Sequence, residues 1–334
     1  MGPTLDRVRY KYMRGCRSLL VLLGFCVTTG LAGHSQINPN RVAQLRWYPA
    51  NTSAVVHLNS SPYAMAFDGA NIWVLDFVQT LTKVRASDGA VLLSLALPNP
   101  NGLLSPEGIV FDGVNIWASM GNSMDTGGDY VAKVRASDGA LLGTFPAGHW
   151  AAGLAFDGNY LWVANAHDYT VDKRRVDTGA VVGTYQVGEL PMAMVFDGAN
   201  VWVANEDDCT VTKLRASDGV TLGTFATPVY PVAMTFDGSN IWTVNPDSRT
   251  VTKLRASDGS LLGTYPTSGF AVGIVFDGAN IWVTIDNMAT VSELRASDGA
   301  NLGSFPTQLV PSAIVFDGSN IWVGNADSSS LSKM

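Results

Sequence analysis

The chain has 334 residues, 47% of them apolar and only 15% charged, with 34 glycines. That charge content is below the roughly 25% of an average soluble chain, which excludes intrinsic disorder and suits many short buried strands joined by tight turns. A formal net charge of −7 argues against a nucleic-acid binder, whose affinity comes from clustered Lys and Arg neutralising phosphates.

The first predicted element is a targeting segment. Arg7, Arg9, Lys11, Arg14 and Arg17 precede the uncharged stretch SLLVLLGFCVTTGLAG, residues 18–33. Basic residues, a short apolar run and small residues at its end predict a signal peptide over residues 1–35, cleaved after Ala32 or Ser35. The run is shorter than the roughly 20 residues of a spanning helix, so no membrane span is expected after its removal; a signal anchor is the alternative. A start at Met13 would give a basic region of more ordinary length. Removing the segment takes away five basic residues and one acidic one and leaves a body near −11. It also leaves Cys209 as the only cysteine, so the mature chain can form neither an internal disulfide nor a cysteine metal cluster. The expected location is secreted or periplasmic.

Further along, FDGxNIWV or a near copy recurs seven times, from Phe67, Phe111, Phe156, Phe196, Phe236, Phe276 and Phe316, at separations of 44, 45, 40, 40, 40 and 40 residues. A fixed period of this size marks solenoids, propellers or arrays. A second motif, RASDG, follows at Arg85, Arg135, Arg215, Arg255 and Arg295, with the degenerate copy RVDTG at Arg175. In the unit from Pro231, Val232–Phe236 is a short apolar run, Asp237-Gly238 a turn, and Ile241–Val244 a second run containing Trp242. Thr250–Ala256 is β-branched and alternating, Asp258-Gly259 turns again, and Leu261–Tyr265 forms a fourth run. No stretch carries a helical period. The fold class is therefore all-β: a single seven-bladed β-propeller over residues 36–334, with four-stranded antiparallel blades.

The repeated residues read as joints. Asp-Gly suits tight hairpins because Gly accepts positive φ and Asp tolerates it. Trp73, Trp117, Trp162, Trp202, Trp242, Trp282 and Trp322 are expected to form the packing layer between blades. The Asp of FDG is expected to make a repeated contact with the Arg of RASDG or with backbone. The last unit stops at LSKM without a fourth strand, whereas residues 42–66 resemble the second half of a unit. SAVVHL, with His57, is expected to supply the missing outer strand, so that the N-terminal strand closes the ring and removes an exposed edge. RVAQLRW and SSLSKM both match strand three of that blade.

LWVAN at Leu161, VWVAN at Val201, IWTVN at Ile241 and IWVGN at Ile321, each followed by a TVTKL-like strand and in the complete units by an SDG-type turn, resemble YVTN-type β-propeller repeats. They are also similar to the repeats of NHL-like propellers and of streptogramin (virginiamycin B) lyase. The likeness covers about residues 42–334 and implies architecture, since propellers host many unrelated functions.

The two glycine turns of a unit share one end of the blades and barely vary, which marks that end as scaffold. Variation collects at the other end, where a binding surface is usually written. There His149-Trp150 enters the third blade and His167-Asp168-Tyr169 leaves its second strand. Glu206-Asp207-Asp208 comes from the next loop, and Tyr230, Asp247, Arg249, Phe270 and Asp286 continue around the rim. These are the candidate ligand-binding residues. Two imidazoles with carboxylates suit a divalent metal or acid–base work, and the aromatics suit a sugar or peptide; no cofactor is otherwise expected. The resemblance to streptogramin lyase would imply metal-assisted ring opening by His and Glu, but no histidine follows His167, and that enzyme's catalytic set cannot be placed. A lactonase-like site would need Asn ligands such as Asn165, Asn205, Asn245 and Asn325, whose equivalence reads as structural. The primary reading is a monomeric exported binding protein for a ligand, glycan or envelope protein. A metal-assisted lyase or hydrolase and a structural envelope protein are the alternatives.

Overall fold

A computed structural model of the chain describes residues 55–99, 102–124 and 127–334. The signal segment, Met13 and Arg41–Trp47 lie outside the described residues. The described chain forms seven four-stranded antiparallel sheets. Blade 3 is typical: Ala151–Phe156, Tyr160–Asn165, Thr170–Arg175 and Val181–Gln186, paired in that order. Among the described residues the one helical turn is the short 3-10 segment Asp286–Met288.

The order of burial within a blade follows from position. Strand two is buried along nearly its whole length, as in Tyr160–Asn165, whereas strand four alternates and leaves its outer edge to solvent. The innermost strands of successive blades touch in cyclic order, and that of blade 7, Pro311–Phe316, meets that of blade 1, Pro62–Phe67. Strand three of blade 7 is Ser330–Lys333, and Val55–His57 pairs outside it, with Val56 opposite Leu331. The place claimed by both SSLSKM and RVAQLRW is thus held by the former.

The repeated motif is a joint in each blade. All seven motif tryptophans are buried, six at 0% exposure and Trp282 at 3%. Each packs into the next blade: Trp117 clusters with Leu161 and Val163, Trp202 with Ile241, and Trp322 with Ile72 and Val74 of blade 1. In every blade the FDG aspartate accepts the indole N–H of the tryptophan five residues on, at 2.8 Å in Asp68–Trp73 and 2.7 Å in Asp237–Trp242. Its other oxygen accepts two backbone N–H groups of the turn, those of Ser239 and Asn240 in blade 5. Of the two expected partners, backbone is therefore correct and the RASDG arginine is not. Arg255 instead pairs with Asp258 of its own turn at 3.0 Å, an exposed contact of little weight.

The second turn is a joint as well. Gly219 has φ +76°, and a Cβ there would run into the Tyr185 ring of the preceding blade. Gly259 meets Phe225 and Gly299 meets Tyr265 in the same way, and Gly89 of blade 1 meets Val56. These glycines supply both a left-handed backbone and room for a neighbour's side chain.

Candidate functional site

At the end opposite the glycine turns, one device recurs. The four-residue turn between strands two and three ends in a left-handed residue: Tyr169 at φ 55°, Cys209 at 55°, Arg249 at 53°. The connection entering strand one often does the same, at Trp150 (53°), Leu190 (54°) and Tyr230 (55°). Such backbone is strained for non-glycine residues and persists where surrounding contacts over-determine it. Here a side chain of the turn reaches across to the connection. Asp168 Oδ2 accepts the backbone N–H of His149 at 2.8 Å, and Asp208 Oδ2 that of Glu189 at 2.7 Å. Asn287 Oδ1 accepts that of Phe270 at 3.0 Å. Asp168 and Asp208, expected as ligand contacts, thus also brace the rim.

The two histidine loops meet on blade 3. The His167 N–H donates to the His149 carbonyl at 3.2 Å. His149 Nδ1 lies 2.9 Å from Asp168 Oδ1, and the Trp150 and His167 rings meet edge to face at 4.9 Å. Tyr169 is exposed, and its carbonyl accepts the backbone N–H of Val187. Glu206 and Asp207 occupy the neighbouring turn of blade 4, where burial and the Asp208 charge raise the Asp207 carboxyl above its ordinary value. On blade 5 the Arg249 guanidinium sits 5.1 Å over the ring of Phe270, which enters blade 6, a cation–π pair. Asp286 opens the 3-10 turn of blade 6, and Tyr230 and Asp247 stand on the rim loops of blade 5.

The strand-end asparagines are internal. Asn165, Asn205, Asn245 and Asn325 are at most 2% exposed. They bond within the loops, Asn165 Oδ1 accepting the Gly148 N–H at 3.1 Å and Asn205 Nδ2 donating to Thr212 Oγ1 at 2.8 Å. Among the described residues no group of three or more His, Cys, Asp or Glu is placed to hold a metal ion.

The sequence reading missed the residue that ties this rim together. Glu107 follows the Pro-, Asn- and Gly-rich run PNPNGLLSP, yet it lies in Ser105–Phe111, strand one of blade 2. Its Oε1 accepts the Trp150 indole N–H at 2.8 Å, and its Oε2 the Tyr63 hydroxyl at 3.1 Å. One carboxyl thereby joins the inner strands of blades 1 and 2 to the connection entering blade 3. Burial, opposed by those two hydrogen bonds and supported by the Glu206 and Asp129 charges, pushes it up to about 7. Gly121 makes the space: a Cβ there would crowd Trp150 Cδ1, at 2.5 Å, and Glu107 Cγ, at 3.1 Å. The signal available in the sequence was register. Four residues before the FDG phenylalanine the blades carry Tyr63, Glu107, Ala152, Met192, Val232, Val272 and Ser312, so one charge stands in an otherwise uncharged position.

A groove of about 700 Å³ lies at the opposite end, between blades 4 and 5, lined by Asp197, Asn200, Lys213, Asn240 and Arg255. Of these, Asp197 and Lys213 are themselves joint residues, bonded to Trp202 and to the Ala256 carbonyl.

No protein-family model matches this chain, and no curated protein sequence matches it. Among the described residues no helix is long and apolar enough to cross a membrane. The class that the fold defines is the seven-bladed β-propeller.

Proposed function

We propose that this chain is an exported binding propeller, of the YVTN-like kind, that takes its ligand at the rim of blades 1 to 4. One observation carries the reading: departures from the repeat gather there. Glu107, the one charged residue at its register position, bonds Tyr63 and Trp150 of the flanking blades. The repeat spacing on either side of the blade 2 motif at Phe111 is 44 and 45 residues, against 40 elsewhere. A scaffold built from near-identical units gains nothing for folding from such exceptions, whereas recognition needs them. The basic and apolar N-terminal segment supports export, and the candidate partners are a small ligand, a glycan or an envelope protein.

The test is a binding panel of glycans, peptides and small amines offered to the full chain, with Trp150→Ala on the rim and Asp258→Ala at the opposite end. Compounds retained by the wild type should bind Trp150→Ala at least about tenfold more weakly, or about 1.4 kcal/mol, and Asp258→Ala equally well. Loss in Asp258→Ala alone, or no retention by the wild type, would overturn the reading.

A further inference from the structure

The chemistry around Glu107 narrows the ligand, on the premise that the rim is the binding site. Both carboxyl oxygens are held by neutral aromatic donors, the Tyr63 hydroxyl and the Trp150 indole. Those rings are themselves fixed: Tyr63 stands edge-on to Phe77 at 5.0 Å, and Trp150 edge-on to His167 at 4.9 Å. The ionisable groups around them are Glu206 from blade 4 and Asp129 from the long turn of blade 2, both of which act on Glu107. His149, paired with Asp168, stands beside Trp150 on blade 3. A half-buried carboxyl held by two neutral aromatic donors, with the Glu206 and Asp129 charges acting on it, disfavours anions. It gives a neutral polyol little advantage over water.

We propose that this mouth binds an organic cation, an amine or quaternary ammonium group on an apolar body, with its charge against the Glu107 carboxylate and between the Tyr63 and Trp150 rings. Aromatic faces attract a desolvated cation through their quadrupole, and a partly buried carboxylate gains a positive charge that its two neutral donors do not supply. A bare metal ion fits less well, because it requires several converging ligands. Binding favours the ionised carboxyl, so affinity rises with pH through the neutral range where Glu107 titrates.

The experiment is calorimetric titration of the full chain with benzyltrimethylammonium, with benzyl alcohol and benzoate as neutral and anionic counterparts. The cation should bind saturably at pH 8 and about tenfold more weakly at pH 6, as expected for a carboxyl titrating near neutrality. Glu107→Gln should weaken it by at least about tenfold, while Tyr63→Phe, which keeps the ring, should retain it within a few-fold. Thermal melting of both variants checks that each is folded. Equal binding of benzoate or benzyl alcohol, or cation binding indifferent to Glu107→Gln, would overturn the cation assignment; the rim reading would then stand if Trp150→Ala removes that binding. Absence of binding by all three probes would also overturn the assignment, leaving the rim to the wider panel.

Discussion

The Lys333 ammonium donates to the Ala86 carbonyl at 2.7 Å, joining residues 247 apart in sequence and linking blade 7 to blade 1. It completes a series. Lys83 reaches Ala136, Lys133 reaches Val176, Lys173 reaches Ala216, Lys213 reaches Ala256 and Lys253 reaches Ala296, each at 2.6 Å and each in the following blade. Each ammonium also lies about 5 Å from its own blade's tryptophan ring, 4.9 Å for Lys213 over Trp202. Blade 6 carries Glu293 instead, which accepts from Asn280 Nδ2 at 2.8 Å.

Lys333→Met should therefore destabilise the chain by about 1–3 kcal/mol, since a carbonyl loses a charged donor. Lys213→Met, which takes the donor from the Ala256 carbonyl in the same way, should cost a similar amount. Chemical denaturation of both variants measures this; an unchanged stability in both would remove the case for a latch.

Asp237→Ala should cost about 2–4 kcal/mol, because it strands the Trp242 indole and two backbone N–H groups of the turn. Its effect on binding should follow from unfolding alone. Burial raises the carboxyls of Asp68, Asp197, Asp237 and Asp317, but their indole, asparagine and backbone donors outweigh it, so all four lie below the ordinary value. Groups lowered on folding stabilise above the unfolded pKa, about 3.9, and that contribution is lost as pH falls through the folded values. Acid unfolding should thus set in below about pH 4 and shift upward in Asp237→Ala. An unchanged melting temperature would contradict the joint.

Much of the fold was legible because each blade repeats the same local physics. In the unit from Pro231, the expected strands match Ala233–Phe236, Asn240–Asn245, Thr250–Arg255 and Leu261–Pro266 to within a residue or so. The latches were not legible, because Lys213 and Ala256 are 43 residues apart and only the assembled ring brings them together. Glu107 was missed for a different reason. Pro106 and Gly108 flank it like loop residues, whereas the structure absorbs them in a register shift between Pro106 and Gly108 within a strand. The same shift recurs at the start of strand one in blades 1, 3, 4, 6 and 7, so it belongs to the repeat.

Blade 3 carries a natural double substitution. Asp172 and Arg174 stand where blade 4 has Thr212 and Leu214, and they form a buried ion pair at 2.8 Å. Arg174 Nε has no hydrogen-bond partner among the described residues. Restoring the common residues together, Asp172→Thr with Arg174→Leu, should be neutral or stabilising by about 1–4 kcal/mol, while Arg174→Leu alone should cost about 3 kcal/mol by orphaning the carboxylate. A double-mutant cycle in urea checks both; additive effects would exclude coupling.

Glu107 gives a pH signature of opposite sign to the FDG aspartates. A carboxyl raised on folding contributes stability fully present below its unfolded pKa and lost as pH rises through its folded value, about 7. The melting temperature of Glu107→Gln relative to wild type should therefore increase from pH 5 to pH 8. The gain should be about 1–2 kcal/mol, because solvent reaches part of the side chain. A difference independent of pH would mean that this carboxyl titrates alike in both states.

The central claim is that the repeated residues hold the ring and the exception at Glu107 serves recognition. The most direct measurement is the melting temperature at pH 8 of Glu107→Val, which installs the residue found at Val232, beside Asp237→Ala. The account predicts that Glu107→Val melts at or above the wild type while Asp237→Ala melts well below it. A fall in Glu107→Val as large as that in Asp237→Ala would place Glu107 in the scaffold and contradict the account.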